Sequence, residues 1–339
     1  MTALRIIFMG TAELSCASLE MLVRNPQFHI AGVVTQPDRP KGRELKPQPS
    51  PVKSLALKLG LPVLQPARAR DEKFIAELRG LKPDLIVVVA YGQILPQTIL
   101  DLPRFGCLNV HTSLLPKYRG AAPIQWAIAN GDSETGVTIM RMDAGLDTGP
   151  IISQRATAIL AADDSVALHD RLARLGAELL MQTLPDFVDG RIQPQPQPAE
   201  GTSHAAKIKK SDGHVDWNQP AQTIWNRLRA FTPWPGAFTF LPEQSQVGRA
   251  SSRAETEIPG HERLAGSLAP PKLLKIWKAE IVEISGGAGE VLSADNTGIV
   301  VGCGQNALRI LELQREGGRR LPSSEFLAGH PLKSGDGFV

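Results

Sequence analysis

A chain of 339 residues, 42% hydrophobic and 21% charged, has the make-up of a soluble globular protein and is long enough for about two domains. Its net charge of +3 permits a polyanionic partner without demanding one, and no run of about 18 apolar residues offers a membrane span. Cys16, Cys107 and Cys303 are odd in number and lack a CxxC pair, and the seven histidines show no HExxH pattern. A disulfide framework, a zinc site and any other metal centre are therefore not expected. The N-terminal MTALRIIFMG enters a strand-like run with no room for a signal segment, so a reducing cytoplasm is the expected location.

Short apolar runs at 6–8, 29–35, 85–90 and 107–111, bounded by turn residues, read as strands. Helical periodicity occupies 12–23, 51–59, 71–78 and 122–129 between them. This alternation predicts an α/β fold with a doubly wound, mostly parallel sheet covered by helices on both faces. A strand at 136–141 and a long amphipathic helix at 163–188 complete a first domain, 1–189. The stretch 190–206, with its PQPQP, reads as a linker. Beyond it, a helix at 217–230 and Gly- and Pro-punctuated strands at 237–241, 273–284, 298–301 and 307–313 suggest a second domain, 207–339, built as a small OB-like β-barrel. Trp225, Trp234 and Trp277 are expected in its core. The polar stretch 243–271 reads as a loop inserted between two of its strands.

The chemistry concentrates after the strand CLNVH. Residues two apart on a strand face the same way, so Asn109 and His111 lie side by side at the C-terminal edge, where open parallel sheets bind ligands. A carboxamide can donate to a developing oxyanion and an imidazole can shuttle a proton near neutral pH, a pairing suited to acyl transfer. A second loop, MDAGLDTGP at 142–150, carries Asp147 between two glycines, able to orient the His111 ring and accept a proton from an amine. Asp143 stands in the same loop, and periodicity does not choose between the two acids. The first turn, MGTAEL at 9–14, lacks two of the glycines of a dinucleotide-binding fingerprint, which speaks against an oxidoreductase.

The runs GCLNVHTSLLPKYRGAAPI and ETGVTIMRMDAGLDTG closely resemble the 10-formyltetrahydrofolate-dependent formyltransferases. RIIFMGTAELS, TQPDRPKGR, PSPVK, VVVAYGQILP, RAFTPWPGA and LKIWKA extend the resemblance, in order, over nearly the whole chain, towards the branch whose acceptor is methionyl initiator tRNA. The resemblance implies a Rossmann-like transfer domain and a tRNA-binding barrel. It also implies that Asn109, His111 and Asp147 are catalytic. Ser113, Leu114, Leu115 and Pro116 would bind folate, and Val88, Val89, Ala90, Tyr91 and Gly92 would wall the pterin pocket. The implied donor is 10-formyltetrahydrofolate, used as a substrate, with no metal and no covalent enzyme intermediate. A related enzyme with another amine acceptor is the alternative, and a monomer is expected.

Residues 38–58 hold Arg39, Lys41, Arg43, Lys46, Lys53 and Lys58 against Asp38 and Glu44, with prolines and glycines that predict irregular chain in the first part. Charge alone reads this as a solvated loop. The resemblance makes it the tRNA-reading insertion, with Arg43 its best-placed cation. Lys207, Lys209 and Lys210 form a second cluster that could follow a phosphate backbone.

Overall fold

The computed structural model describes residues 3–41, 46–241 and 272–339. They fall into two compact units, Met1–Ile208 and Lys209–Val339. The strands of the first are β1 (Leu4–Gly10), β2 (Phe28–Val34), β3 (Arg39–Lys41), β4 (Lys46–Gln48), β5 (Val63–Leu64), β6 (Leu85–Val89), β7 (Cys107–His111), β8 (Arg119–Gly120), β9 (Glu134–Arg141), β10 (Ile151–Ala158) and β11 (His204–Ala205). Seven of them form one sheet in the order β10-β9-β7-β6-β1-β2-β5. The run from β5 to β7 is parallel, and β9 and β10 add an antiparallel edge. The expected mostly parallel sheet is thus present. β10 escaped the sequence reading because an edge strand half-open to water, ISQRATA, carries no apolar run.

β1 and β6 are apolar because helices cover both faces of the sheet. On one face, Ile7, Met9, Ile86 and Val88 share a core with Phe74 and Leu78 of the helix Glu72–Gly80 and with Ile99 and Leu100. The helix Ser165–Val188 starts where the Asp164 side chain accepts the Val166 and Ala167 N–H groups. It packs on the helices Cys16–Arg24 and Pro123–Ala129 and on β9 and β7. A Cβ on its Gly176 would lie 2.8 Å from Val110 Cγ1. That close approach seats the strand between Asn109 and His111.

Two expectations change here. The PQPQP stretch is bonded to the first unit: Gln195 exchanges two 2.7 Å backbone hydrogen bonds with Ile151, and β11 pairs in parallel with β8. Proline-rich chain has no internal hydrogen bonds, so its polar groups are satisfied by neighbours. The described residues on either side of 42–45 in the basic segment likewise pair where irregular chain was expected. β3 and β4 pair antiparallel, with Pro40 opposite Pro47. Two residues without N–H groups can face each other at a position where the ladder needs no donor. Arg43 lies in 42–45, outside the described residues.

The second unit contains the helix Ala221–Ala230 and the strands β12 (Ala237–Leu241), β13 (Lys272–Val282), β14 (Val291–Asp295), β15 (Gly298–Gly302), β16 (Ala307–Arg315) and β17 (Arg320–Pro322). They form an antiparallel sheet ordered β12-β13-β16-β15-β14, with β17 on β16. Among the described residues β12 and β14 do not pair, so the expected barrel is not closed strand to strand. The last residues meet both edges instead. Val339 exchanges hydrogen bonds with Phe240, the Phe338 N–H donates to the Gly289 carbonyl, and the Asp336 carbonyl accepts the Val291 N–H. The tryptophans divide. Trp217 and, partly, Trp225 belong to the core. Trp234, in the turn before β12, is 58% exposed, and Trp277 is half-buried with the cations of Lys275 and Arg320 over its ring, so neither fills the core as expected. The stretch 243–271 lies outside the described residues. Among the described residues no helix is long and apolar enough to cross a membrane.

Candidate active site

Asn109 and His111 lie on β7 level with the C-terminal ends of β6 and β1, as the register Val88 to Asn109 and Met9 to Val88 requires. His111 is buried, and its Nε2 lies 2.9 Å from the Tyr118 carbonyl. A carbonyl only accepts, so Nε2 carries a proton, and in the neutral ring Nδ1 is left with its lone pair. Nδ1 faces Asp147 Oδ2 at 3.7 Å. The ring is therefore anchored by Tyr118, a role the sequence reading gave to Asp147.

Asp147 gathers the site. Its Oδ1 accepts from Asn109 Nδ2 at 3.2 Å and its Oδ2 accepts from the Gly120 N–H at 2.9 Å. Its backbone is left-handed, φ +53°, a conformation that costs a non-glycine residue about 1–3 kcal/mol and that Asp tolerates better than most. Asp143 is turned to its own loop, accepting from the Gly145 N–H and the Thr148 hydroxyl at 3.1 and 2.7 Å. The geometry thus separates two acids that periodicity left equivalent. Asn109 uses one amide hydrogen on Asp147; among the described residues the other has no protein partner.

The two stretches expected to hold folate divide by burial. Ser113 and Leu115 are buried and shape the loop: Thr138 Oγ1 donates to the Ser113 carbonyl, Ser113 Oγ to that of Lys117, and Gln154 Nε2 to that of Leu115. Leu114 and Pro116 remain partly accessible. Val88, Val89 and Tyr91 are buried, whereas Ala90 and Gly92 are exposed. The carbonyls of this turn are tied down by Ser15, Thr11 and Gln36, which bond those of Val89, Tyr91 and Gly92.

The profile of the formyl transferase family matches residues 4–184, and that of the formyl transferase C-terminal domain matches 207–331. The chain belongs to the formyl transferase family. It is 48% identical over 335 residues to the methionyl-tRNA formyltransferase of Citrifermentans bemidjiense, covering 99% of this chain and 96% of that one. It is 46% identical to that of Caldanaerobacter subterraneus subsp. tengcongensis, covering 98% and 99%. An N-formyltransferase from Helicobacter canadensis, solved with folinic acid and dTDP-3-aminofucose, shares the fold at a TM-score of 0.61 and 16% identity, over 91% of this chain and 99% of that one. HypX from Aquifex aeolicus, solved with tetrahydrofolic acid, does so at 0.58 and 18%, over 100% and 51%.

In this formyl transferase the residues that sequence reasoning missed act through the main chain or sit in unremarkable segments. The Tyr118 carbonyl and Gly120 N–H leave no side-chain signal. Gln197, whose amide bonds the carbonyls of Asp147 and Gly149, stands in the stretch read as linker. The thiols are poor nucleophiles. Burial pushes Cys107 up to about 12 and Cys303 to about 11, and burial with Glu13 and Glu20 raises Cys16 to about 11.

Gly149 closes the loop under Asp147, where a Cβ would stand 1.9 Å from the Arg141 carbonyl oxygen. Gly149→Ala is therefore expected to cost about 1–3 kcal/mol of overpacking. That is a fall in Tm of about 2–4 °C for each kcal/mol, accompanied by slower transfer as the loop shifts. Unchanged melting and turnover would mean that the loop can move aside without consequence.

Proposed function

We propose that the chain transfers the formyl group of 10-formyltetrahydrofolate to the α-amino group of methionyl initiator tRNA. The observation that carries this reading is the 48% identity to a methionyl-tRNA formyltransferase across both units, over a site equipped for acyl transfer to an amine. In this reading residues 1–189 catalyse transfer, 207–339 bind tRNA, and the enzyme works as a monomer in the cytoplasm.

The amine nitrogen attacks the formyl carbon, and the carbonyl electrons move onto oxygen. Asn109, with one amide hydrogen held by Asp147, offers the other to that oxyanion. The amine's proton passes to the Asp147 carboxylate or to Nδ1 of His111, whose Nε2 is already committed to Tyr118. A proton taken up at Nδ1 faces Asp147 Oδ2 and meets a negative charge. Collapse of the tetrahedral centre breaks the bond to the folate nitrogen, which recovers the proton, leaving the formylated amine and tetrahydrofolate. No thiolate takes part, consistent with the raised cysteines. Leu114, Pro116, Ala90 and Gly92 contact the folate, and the buried Ser113, Leu115, Val88, Val89 and Tyr91 keep those contacts in place. The deciding experiment offers 10-formyltetrahydrofolate with either charged initiator tRNA or glycinamide ribonucleotide. Formylation of the tRNA is expected; formylation of only the small amine would overturn the acceptor assignment.

Arg39, Lys41 and Lys46 on the β3–β4 hairpin, Arg43 between them in sequence, and Lys207, Lys209 and Lys210 are assigned to tRNA phosphates. Asp38 does not oppose them freely: the Lys53 ammonium at 2.7 Å, together with Gln65, holds its carboxyl below the usual range. Lys207, Lys209 and Lys210 are exposed. Changing all three to Ala should leave stability within about 0.5 kcal/mol. The KM for tRNA should rise, and the salt dependence of tRNA binding should lose about 0.7–0.9 in slope for each phosphate contact removed. An unchanged slope would take this cluster out of the interface.

A further inference from the structure

Asp147 holds a left-handed backbone in a loop rich in glycine, and something must keep it there. The amide of Gln197 is placed to do so. Its Nε2 donates one hydrogen to the Asp147 carbonyl at 2.8 Å and the other to the Gly149 carbonyl at 2.7 Å. Its Oε1 accepts from Arg119 Nε and Nη2 at 3.0 and 2.7 Å. The amide cannot be turned over, because the two carbonyls only accept and the guanidinium only donates. Every hydrogen-bonding group of this side chain is thus used on the loop or on Arg119. The residue after Arg119, Gly120, donates its N–H to the Asp147 carboxylate. The Arg119–Gly120 strand and Gln197 therefore grip Asp147 from two sides, one by its backbone and one by its side chain. Gln197 is itself fixed on either side, by the Gln195–Ile151 exchange and by the pairing of His204–Ala205 with Arg119–Gly120.

We infer that Gln197 is a positioning residue for formyl transfer: it fixes the carbonyls of Asp147 and Gly149, and so sets the reach of the Asp147 carboxylate to Asn109 and His111. The inference rests on the proposed role of Asp147. Gln197 touches no reacting atom, so its loss acts on the rate of the chemical step and not on substrate affinity. A displacement of a catalytic group by about 1 Å can slow an enzyme about 100-fold. Gln197→Ala is expected to lower kcat by about 10- to 100-fold on that scale, with KM for both substrates nearly unchanged. Gln197→Glu keeps the chain length and the bonds from Arg119 but has no hydrogen for either carbonyl, and is expected to be at least as slow.

The test is a double-mutant cycle on the full-length enzyme, with Gln197→Ala, Asp147→Asn and the pair. Single-turnover transfer from 10-formyltetrahydrofolate to methionyl initiator tRNA is measured alongside thermal melting. If Gln197 works through Asp147, its removal costs little more once Asp147 is altered, so the two losses are strongly non-additive. Fully additive losses, or Gln197→Ala turnover near that of the parent, would overturn the inference. So would a rise in KM at constant kcat. Should Gln197→Ala not fold, Gln197→Glu takes its place in the cycle. Near-normal turnover in Asp147→Asn would instead remove the reading of Asp147 on which the inference stands, an outcome visible in the single variant alone.

Discussion

Asn109→Ala is expected to slow formyl transfer by about 100- to 1000-fold, the usual cost of removing one oxyanion donor. The loss should fall on kcat, because the carboxamide meets its target only when the carbonyl oxygen becomes an oxyanion. In the resting site Asn109 makes a single side-chain hydrogen bond, 3.2 Å to Asp147 Oδ1. The backbone of its strand is paired on both sides, with β6 and with β9. Truncation therefore removes a partly exposed group and leaves the sheet intact, so thermal melting should change little. Asn109→Asp is a sharper probe. It keeps the shape but sets a second carboxylate against Asp147 and removes both donors, and should be at least as slow as the alanine variant. Steady-state kinetics on folded protein decide the matter. A rate within about threefold of the parent, less than 1 kcal/mol of barrier, would exclude Asn109 from the mechanism.

How much of this could be read beforehand depends on which part of each residue acts. The parallel strands were legible because burial on both faces makes β6 a run of five apolar residues. β10 was not, because only alternate residues of an edge strand need to be apolar. Asn109 and His111 were legible as a pair because a strand aligns residues two apart. Their setting was not. The His111 ring is held by a main-chain carbonyl and the Asp147 carboxylate by a main-chain N–H, groups that every such residue carries and that no sequence motif announces. Gln197 was hidden by its neighbours, since the prolines that mark the stretch as linker also keep it extended along the first unit. The stretches proposed to bind folate matched the family in sequence, but burial alone distinguishes Leu114 and Pro116, which stay partly accessible, from Ser113 and Leu115, which hold the loop.

Asp147→Asn is expected to lower kcat well beyond about 10-fold, a loss of transition-state stabilisation above about 1.4 kcal/mol. The substitution is chosen because Asn tolerates a left-handed backbone as readily as Asp, so φ +53° need not change. Three things are lost together. The anion facing His111 Nδ1 at 3.7 Å disappears, and with it the stabilisation of a ring that has taken up a proton. The basic oxygen that could accept the amine's proton becomes an amide. And of the two bonds the carboxylate accepts, from Asn109 and from the Gly120 N–H, the single amide oxygen can keep only one in place. The other position then presents an N–H to a donor, which pushes either Asn109 or the Gly120 strand away. Asp143→Asn is the matched control, since its carboxylate caps its own loop through Gly145 and Thr148 and faces neither Asn109 nor His111. It should cost a few tenths to about 1 kcal/mol of loop stability and little rate. If Asp143→Asn proved the more damaging to kcat, the acid of this site would have been misassigned, and the proton path from the amine would have to run through the other carboxylate.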